Sequence, residues 1–99
     1  MSDLDVVKYA EIHCFGLVQG VFYRASTKEQ ANRLGLKGWV KNLPDSSVLI
    51  NVYGKSSAVN DLINWCKKGP FLAKVSKVEV SDLLSNHDID EYQTFEIHH

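Results

Sequence analysis

Apolar positions in this chain recur with period two in some stretches and with helical period in others. Residues 6–14 alternate, with Ala10, Ile12 and Cys14 facing one way and Tyr9, Glu11 and His13 the other, the pattern of a half-buried strand. Residues 23–34 read as a helix, with Ala25, Ala31 and Leu34 toward a core, Lys28, Glu29 and Arg33 toward water, and Gly35 placed to end it. Gly38 to Leu43 is a short strand, and Pro44-Asp45-Ser46-Ser47 has turn composition. Val48, Ile50 and Val52 alternate in the next strand, which Gly54 closes. Ser56 or Ser57 is positioned to cap a second helix, whose buried stripe is Val59, Leu62, Ile63 and Cys66, and Gly69-Pro70 stops it. Residues 74–83 form another strand, with Val78 and Val80 against Lys77 and Glu79. A polar loop over 85–90 precedes a last strand from Tyr92 to Ile97, with Phe95 and Ile97 inward.

The order β-α-β-β-α-β predicts an α+β fold: a ferredoxin-like sandwich, with an antiparallel four- to five-stranded sheet and two helices on one face. The chain of 99 residues is 44% hydrophobic, enough for one small core, and residues 1–99 are read as a single domain with its core at about 6–97. The formal net charge of -1 gives no push toward nucleic acid or an anionic membrane. No apolar run is long enough to span a bilayer, and residues 1–7 lack a signal peptide's basic start and apolar stretch, so a cytoplasmic chain is expected. Cys14 and Cys66 are far apart, outside any metal-ligand spacing, and fall on predicted core faces, which suits reduced packing thiols. The terminal His98-His99 pair is assigned no function.

The chemistry concentrates between the first strand and the first helix, in Gly16-Leu17-Val18-Gln19-Gly20-Val21-Phe22-Tyr23-Arg24. Glycines let backbone N–H groups turn toward a ligand, a helix N-terminus adds positive potential, and a guanidinium adds a fork of donors. Phosphate is the obvious guest, although neither the Walker pattern nor G-x-G-x-x-G is present. Arg24 sits where a cation opposes the helix dipole, an arrangement that makes sense when an anion is expected. Gln19 is either a loop staple or a ligand contact. Asn42 ends the second strand, and taken alone it reads as a turn-bonding residue. Ser26 and Thr27 have no base nearby in sequence, His13, His87, His98 and His99 show no metal spacing beyond the terminal pair, and Asp82, Asp88, Asp90 and Glu91 look solvated. Trp39 and Trp65 suit sheet and core packing.

These residues resemble the acylphosphatase family. Gly16 to Arg24 is similar to the family's first signature and Gly38-Trp39-Val40-Lys41-Asn42-Leu43-Pro44-Asp45 to its second, and the likeness runs from about Lys8 to Ile97. The resemblance implies metal-independent hydrolysis of the carboxyl–phosphate bond of acyl phosphates, giving carboxylate and inorganic phosphate. Arg24 and Asn42 would be catalytic, Arg24 binding phosphate and Asn42 positioning the attacking water. The backbone of Gly16 to Arg24 would cradle the phosphoryl group. No metal or organic cofactor is expected, and the expected partners are a small acyl phosphate and inorganic phosphate as product and inhibitor, with no nucleic acid, no membrane and a monomeric chain. The chain departs from the family pattern at Ser46, where glycine is usual, at Leu49, where an acidic residue is common, and at Lys41, where arginine is frequent. If the turn needs a positive φ at Ser46, serine costs on the order of 1 kcal/mol relative to glycine. The competing reading is a non-catalytic ferredoxin-like module that binds phosphate or RNA, the latter through Tyr9, Tyr53 and Trp39 on an open sheet face.

Overall fold

The computed structural model describes residues 6–83 and 93–98. Strand β1 spans Val7–Leu17, helix α1 Tyr23–Arg33, strand β2 Lys37–Asn42, strand β3 Val48–Lys55, helix α2 Ser56–Lys68, strand β4 Lys74–Leu83 and strand β5 Phe95–His98. The expected polar loop at 85–90, with His87, Asp88, Asp90, Glu91 and the first residue of the last predicted strand, lies outside the described residues.

The sheet order is β4-β1-β3-β2-β5. Neighbouring strands are antiparallel through β4, β1, β3 and β2, with Ile12 opposite Ile50 and Val40 opposite that same Ile50. The edge pair β2–β5 is parallel, Trp39 facing Glu96, so the sheet is mixed and not wholly antiparallel. β4 and β5 hold opposite edges of the sheet, and β5 runs in the same direction as its neighbour β2.

Alternation explains the core. Ala10, Ile12 and Cys14 of β1, Val40 of β2, Val48, Ile50 and Val52 of β3 and Phe95 of β5 are buried together with Val59, Leu62, Ile63 and Cys66 of α2. Helix α1 is rotated from its predicted phase. Tyr23, Thr27 and Ala31 are its buried row, whereas Ala25 is exposed. A phenol buries far more apolar area than a methyl group, so Tyr23 sets the rotation. Its hydroxyl donates to the Cys66 carbonyl at 2.7 Å, and the Thr27 hydroxyl donates to the Tyr23 carbonyl at 2.7 Å, so neither buried oxygen is orphaned.

Two local expectations fail in instructive ways. Gly54 does not close β3, which continues to Lys55; a Cβ at Gly54 would meet Leu36 Cδ2 at 2.4 Å, so close packing explains the glycine. No serine side chain caps α2, whose N-cap is Lys55. The Ser56 N–H instead donates to the Val6 carbonyl at 2.7 Å.

Candidate functional site

Strands β1 and β2 are both antiparallel to β3, which lies between them, so they run parallel to each other; β5 is parallel to β2. The C-terminal ends of all three therefore reach one end of the sheet. There they bring together the loop after Leu17, the side chain of Asn42 and residues Ile97 and His98. The result is a cavity of about 310 Å³ lined by Val18, Gly20, Phe22, Tyr23, Arg24, Ala25, Asn42 and Ile97.

The loop between β1 and α1 is shaped by two anchors and two left-handed residues. Val18 and Val21 are buried, which pins the loop to the core. Gly20 has φ 75° and Phe22 has φ 65°. At Gly20 this freedom is what glycine supplies, and the space beside it is open. Phe22 adopts the same region as the N-cap of α1, a strained conformation for a bulky residue. Alternating left-handed residues turn successive N–H groups to one side, the geometry of an anion nest. No acceptor among the described residues takes the N–H groups of Gln19, Gly20, Val21 or Phe22. The first turn of α1 holds no acidic residue and its N-cap no side-chain bond, so the helix itself supplies no acceptor or negative charge for its N-terminal donors and dipole.

Arg24 stands in that first turn, half-buried, its Nη1 3.5 Å from the His98 carbonyl oxygen. Asn42, the last residue of β2, does not bond the following turn. That turn is closed by Leu43 N–H to the Ser47 carbonyl (2.9 Å), Ser46 N–H to the Leu43 carbonyl (3.1 Å) and Ser47 N–H to Asp45 Oδ1 (3.0 Å). Asn42 Oδ1 is buried with no hydrogen-bond partner among the described residues. Such an acceptor costs about 1–3 kcal/mol, which a water or ligand donor in the cavity would offset.

Gln19, open to two readings in the sequence, is the staple. Its Nε2 donates to the Leu43 carbonyl at 2.9 Å and to the Ser47 carbonyl at 2.8 Å, tying the loop to the turn beside Asn42. Gly16 and Leu17 belong to β1 and do not line the cavity. Gly16 is required for another reason: at the register shift opposite Val75, a Cβ would lie 2.2 Å from the Lys74 carbonyl oxygen.

Several participants escaped sequence reasoning. Ala25 and Ile97 line the cavity, and the turn is braced from β1. The Ser47 hydroxyl donates to the Asp45 carboxylate, so His13 Nε2, 2.6 Å from Ser47 Oγ, is the donor in that pair. Hydrogen bonds from the Ser47 side chain and backbone hold the Asp45 carboxyl below its ordinary value. No local signal links His13 to Ser47; only the β1–β3 register brings them together. Among the described residues, no group of three or more His, Cys, Asp or Glu is placed to hold a metal ion, and no helix is long and apolar enough to cross a membrane.

Residues 10–97 match the family model for acylphosphatase. An acylphosphatase of Rubrobacter xylanophilus is 48% identical over 82 residues, covering 83% of this chain and 74% of its own. A solved acylphosphatase from Coxiella burnetii superposes with a TM-score of 0.84 at 32% identity, covering 93% of each chain. One from Bacillus subtilis gives 0.85 at 30% identity, covering 95% of this chain and all of its own (100%).

Proposed function

Because this chain belongs to the acylphosphatase family and is a hydrolase of acyl phosphates, we propose that Arg24, Asn42 and the loop up to Arg24 carry out the reaction in the cavity at the end of β1, β2 and β5. The observation that carries this reading is one convergence in one cavity: an arginine, a helix N-terminus with no side-chain cap and an amide oxygen without a hydrogen-bond partner, both among the described residues.

The phosphoryl group seats against the N–H groups of residues 19–24, with the guanidinium of Arg24 forking across two of its oxygens. Asn42 Oδ1 accepts a hydrogen bond from a water and holds it in line with the phosphorus. The water oxygen bonds to phosphorus as the phosphorus–oxygen bond to the acyl group breaks. The bonding pair leaves with the carboxylate, and the water's proton passes to a phosphoryl oxygen. Charge spread over the equatorial oxygens is met by Arg24 and the helix N-terminus, so catalysis is positioning plus electrostatic stabilisation. A carboxylate is a good leaving group, so no general acid is required. Residues 1–99 act as one unit, working as a monomer in the cytoplasm, with inorganic phosphate as product and competitive inhibitor.

The binding-module reading has less support. The open sheet face does pair Tyr9 with Tyr53 at 4.4 Å and stacks Trp39 on His98 at 5.3 Å. Glu11, Glu79 and Glu96 share that face with Lys37, Lys41 and Lys77, which leaves no basic track for a nucleic-acid backbone.

The test is hydrolysis of benzoyl phosphate with chelator present, alongside Arg24→Ala. Chelator-resistant turnover that falls by at least a hundredfold in the variant is expected. Full activity in Arg24→Ala would remove the arginine from the site.

A further inference from the structure

Phe22 is an anomaly that phosphate binding does not explain. It lines the cavity, yet it is 73% exposed, so core packing does not hold it. It occupies φ 65°, ψ 21°, a region where glycine is free of strain and a bulky side chain is not. The cradle uses backbone N–H groups, which a glycine would present as well.

The rest of the lining shows what the ring can meet. Arg24 is the sole charged residue among the described lining residues, and the phosphoryl group takes it. Val18, Ala25 and Ile97 present apolar surface, and Asn42 contributes an amide. A second charge on the substrate would find no counter-charge there and would lose hydration. An apolar group would find a wall and, in Phe22, a large exposed face.

From this we infer that Phe22 is a specificity-determining residue: its ring forms a subsite for the acyl group, favouring acyl phosphates with an apolar, especially aromatic, acyl part. This rests on the acyl phosphate reading and names the substrate class within it. The leaving carboxylate points away from the water held by Asn42, because in-line attack places water and leaving group on opposite sides of phosphorus. An acyl group on that side extends toward the cavity mouth, where an exposed ring can lie against it by offset or edge-on stacking.

The experiment measures kcat/KM for benzoyl phosphate and acetyl phosphate, with inhibition by inorganic phosphate, in the parent protein, Phe22→Ala and Phe22→Leu. Phe22→Ala is expected to lower the benzoyl-to-acetyl ratio roughly tenfold, the scale of removing one apolar contact surface. Phe22→Leu should recover most of that ratio, and the inhibition constant for phosphate should move less than the ratio does. An unchanged ratio in Phe22→Ala overturns the subsite, as does an equal fall on both substrates, which would make Phe22 a backbone element alone. A parent protein that hydrolyses neither compound overturns the catalytic reading, and the subsite with it; a changed phosphate inhibition at constant ratio overturns the subsite alone.

Discussion

The proposed mechanism gives Arg24 and Asn42 different tasks, and single substitutions should separate them. Asn42 Oδ1 has no partner among the described residues, so its removal takes away an acceptor for water and leaves the anion nest in place. Asn42→Ala is expected to lower kcat by about a hundredfold or more while the inhibition constant for inorganic phosphate changes little. Arg24→Lys should damage both, because an ammonium cannot bind two oxygens as a planar fork does. Steady-state kinetics with phosphate as inhibitor make the comparison; near-normal turnover in Asn42→Ala would end its water-positioning role. At this scale the sequence was partly legible. Arg24 stood out as a candidate by opposing the helix dipole beside a loop with two glycines. Asn42 did not, since an asparagine before Leu43-Pro44 reads as a turn residue until the turn is seen to be closed by other groups. The side chain of Gln19 was undecidable for a similar reason: its acceptors, Leu43 and Ser47, lie 24 and 28 residues away.

The hairpin joining β2 to β3 is the element on which Asn42 depends. Ser46 adopts φ 76°, so the position glycine usually holds in the family is left-handed here too, and serine bears the strain. The paired bonds of Leu43 and Ser46 close a type I turn followed by a left-handed residue. Ser46→Gly is expected to stabilise the fold by about 1 kcal/mol, read as a rise in the denaturant midpoint at constant slope. The Asp45–Ser47–His13 chain and the Gln19 amide hold the same turn from two sides, so the substitution should leave kcat near its parent value. Element boundaries were mostly readable: the α2 stripe lies where its periodicity places it, and β4 spans its predicted residues. The rotation of α1 was not readable, because Ala25, Thr27 and Tyr23 offer no clean apolar stripe and only the pocket around Tyr23 chooses among them.

At the scale of the whole molecule, Tyr23 joins the site to the core. It lines the cavity, packs on Trp65 with ring centroids 5.5 Å apart and bonds the α2 backbone at Cys66. Burial, with the nearby Cys66 and Cys14 thiols, raises the phenol far above its ordinary value. The unfolded chain releases this proton near pH 10.0 and the folded protein does not, so the native state binds more protons above that pH. Stability is thus fully present below about pH 10 and declines above it, by about 1.4 kcal/mol per pH unit for one such group. Equilibrium unfolding between pH 9 and 11 should show this decline, and Tyr23→Phe should flatten it; an equal slope in the variant would assign the loss to other groups.

By itself the sequence determined the α+β order, the composition of the core strands and α2, the position of the glycine-containing loop and Arg24 as candidates for anion binding, and the likeness to acylphosphatases. These are local properties, written as periodicity, turn residues and contiguous motifs. Tertiary structure alone decided that β5 joins β2 in parallel, that Gly16 serves β4 and not the cavity, that Gln19 braces the turn, and that Asn42, with a buried oxygen unpaired among the described residues, shares a cavity with Arg24. Each of these depends on partners distant in sequence. Which partner a side chain meets is fixed only when sheet register and core packing bring the strand ends together.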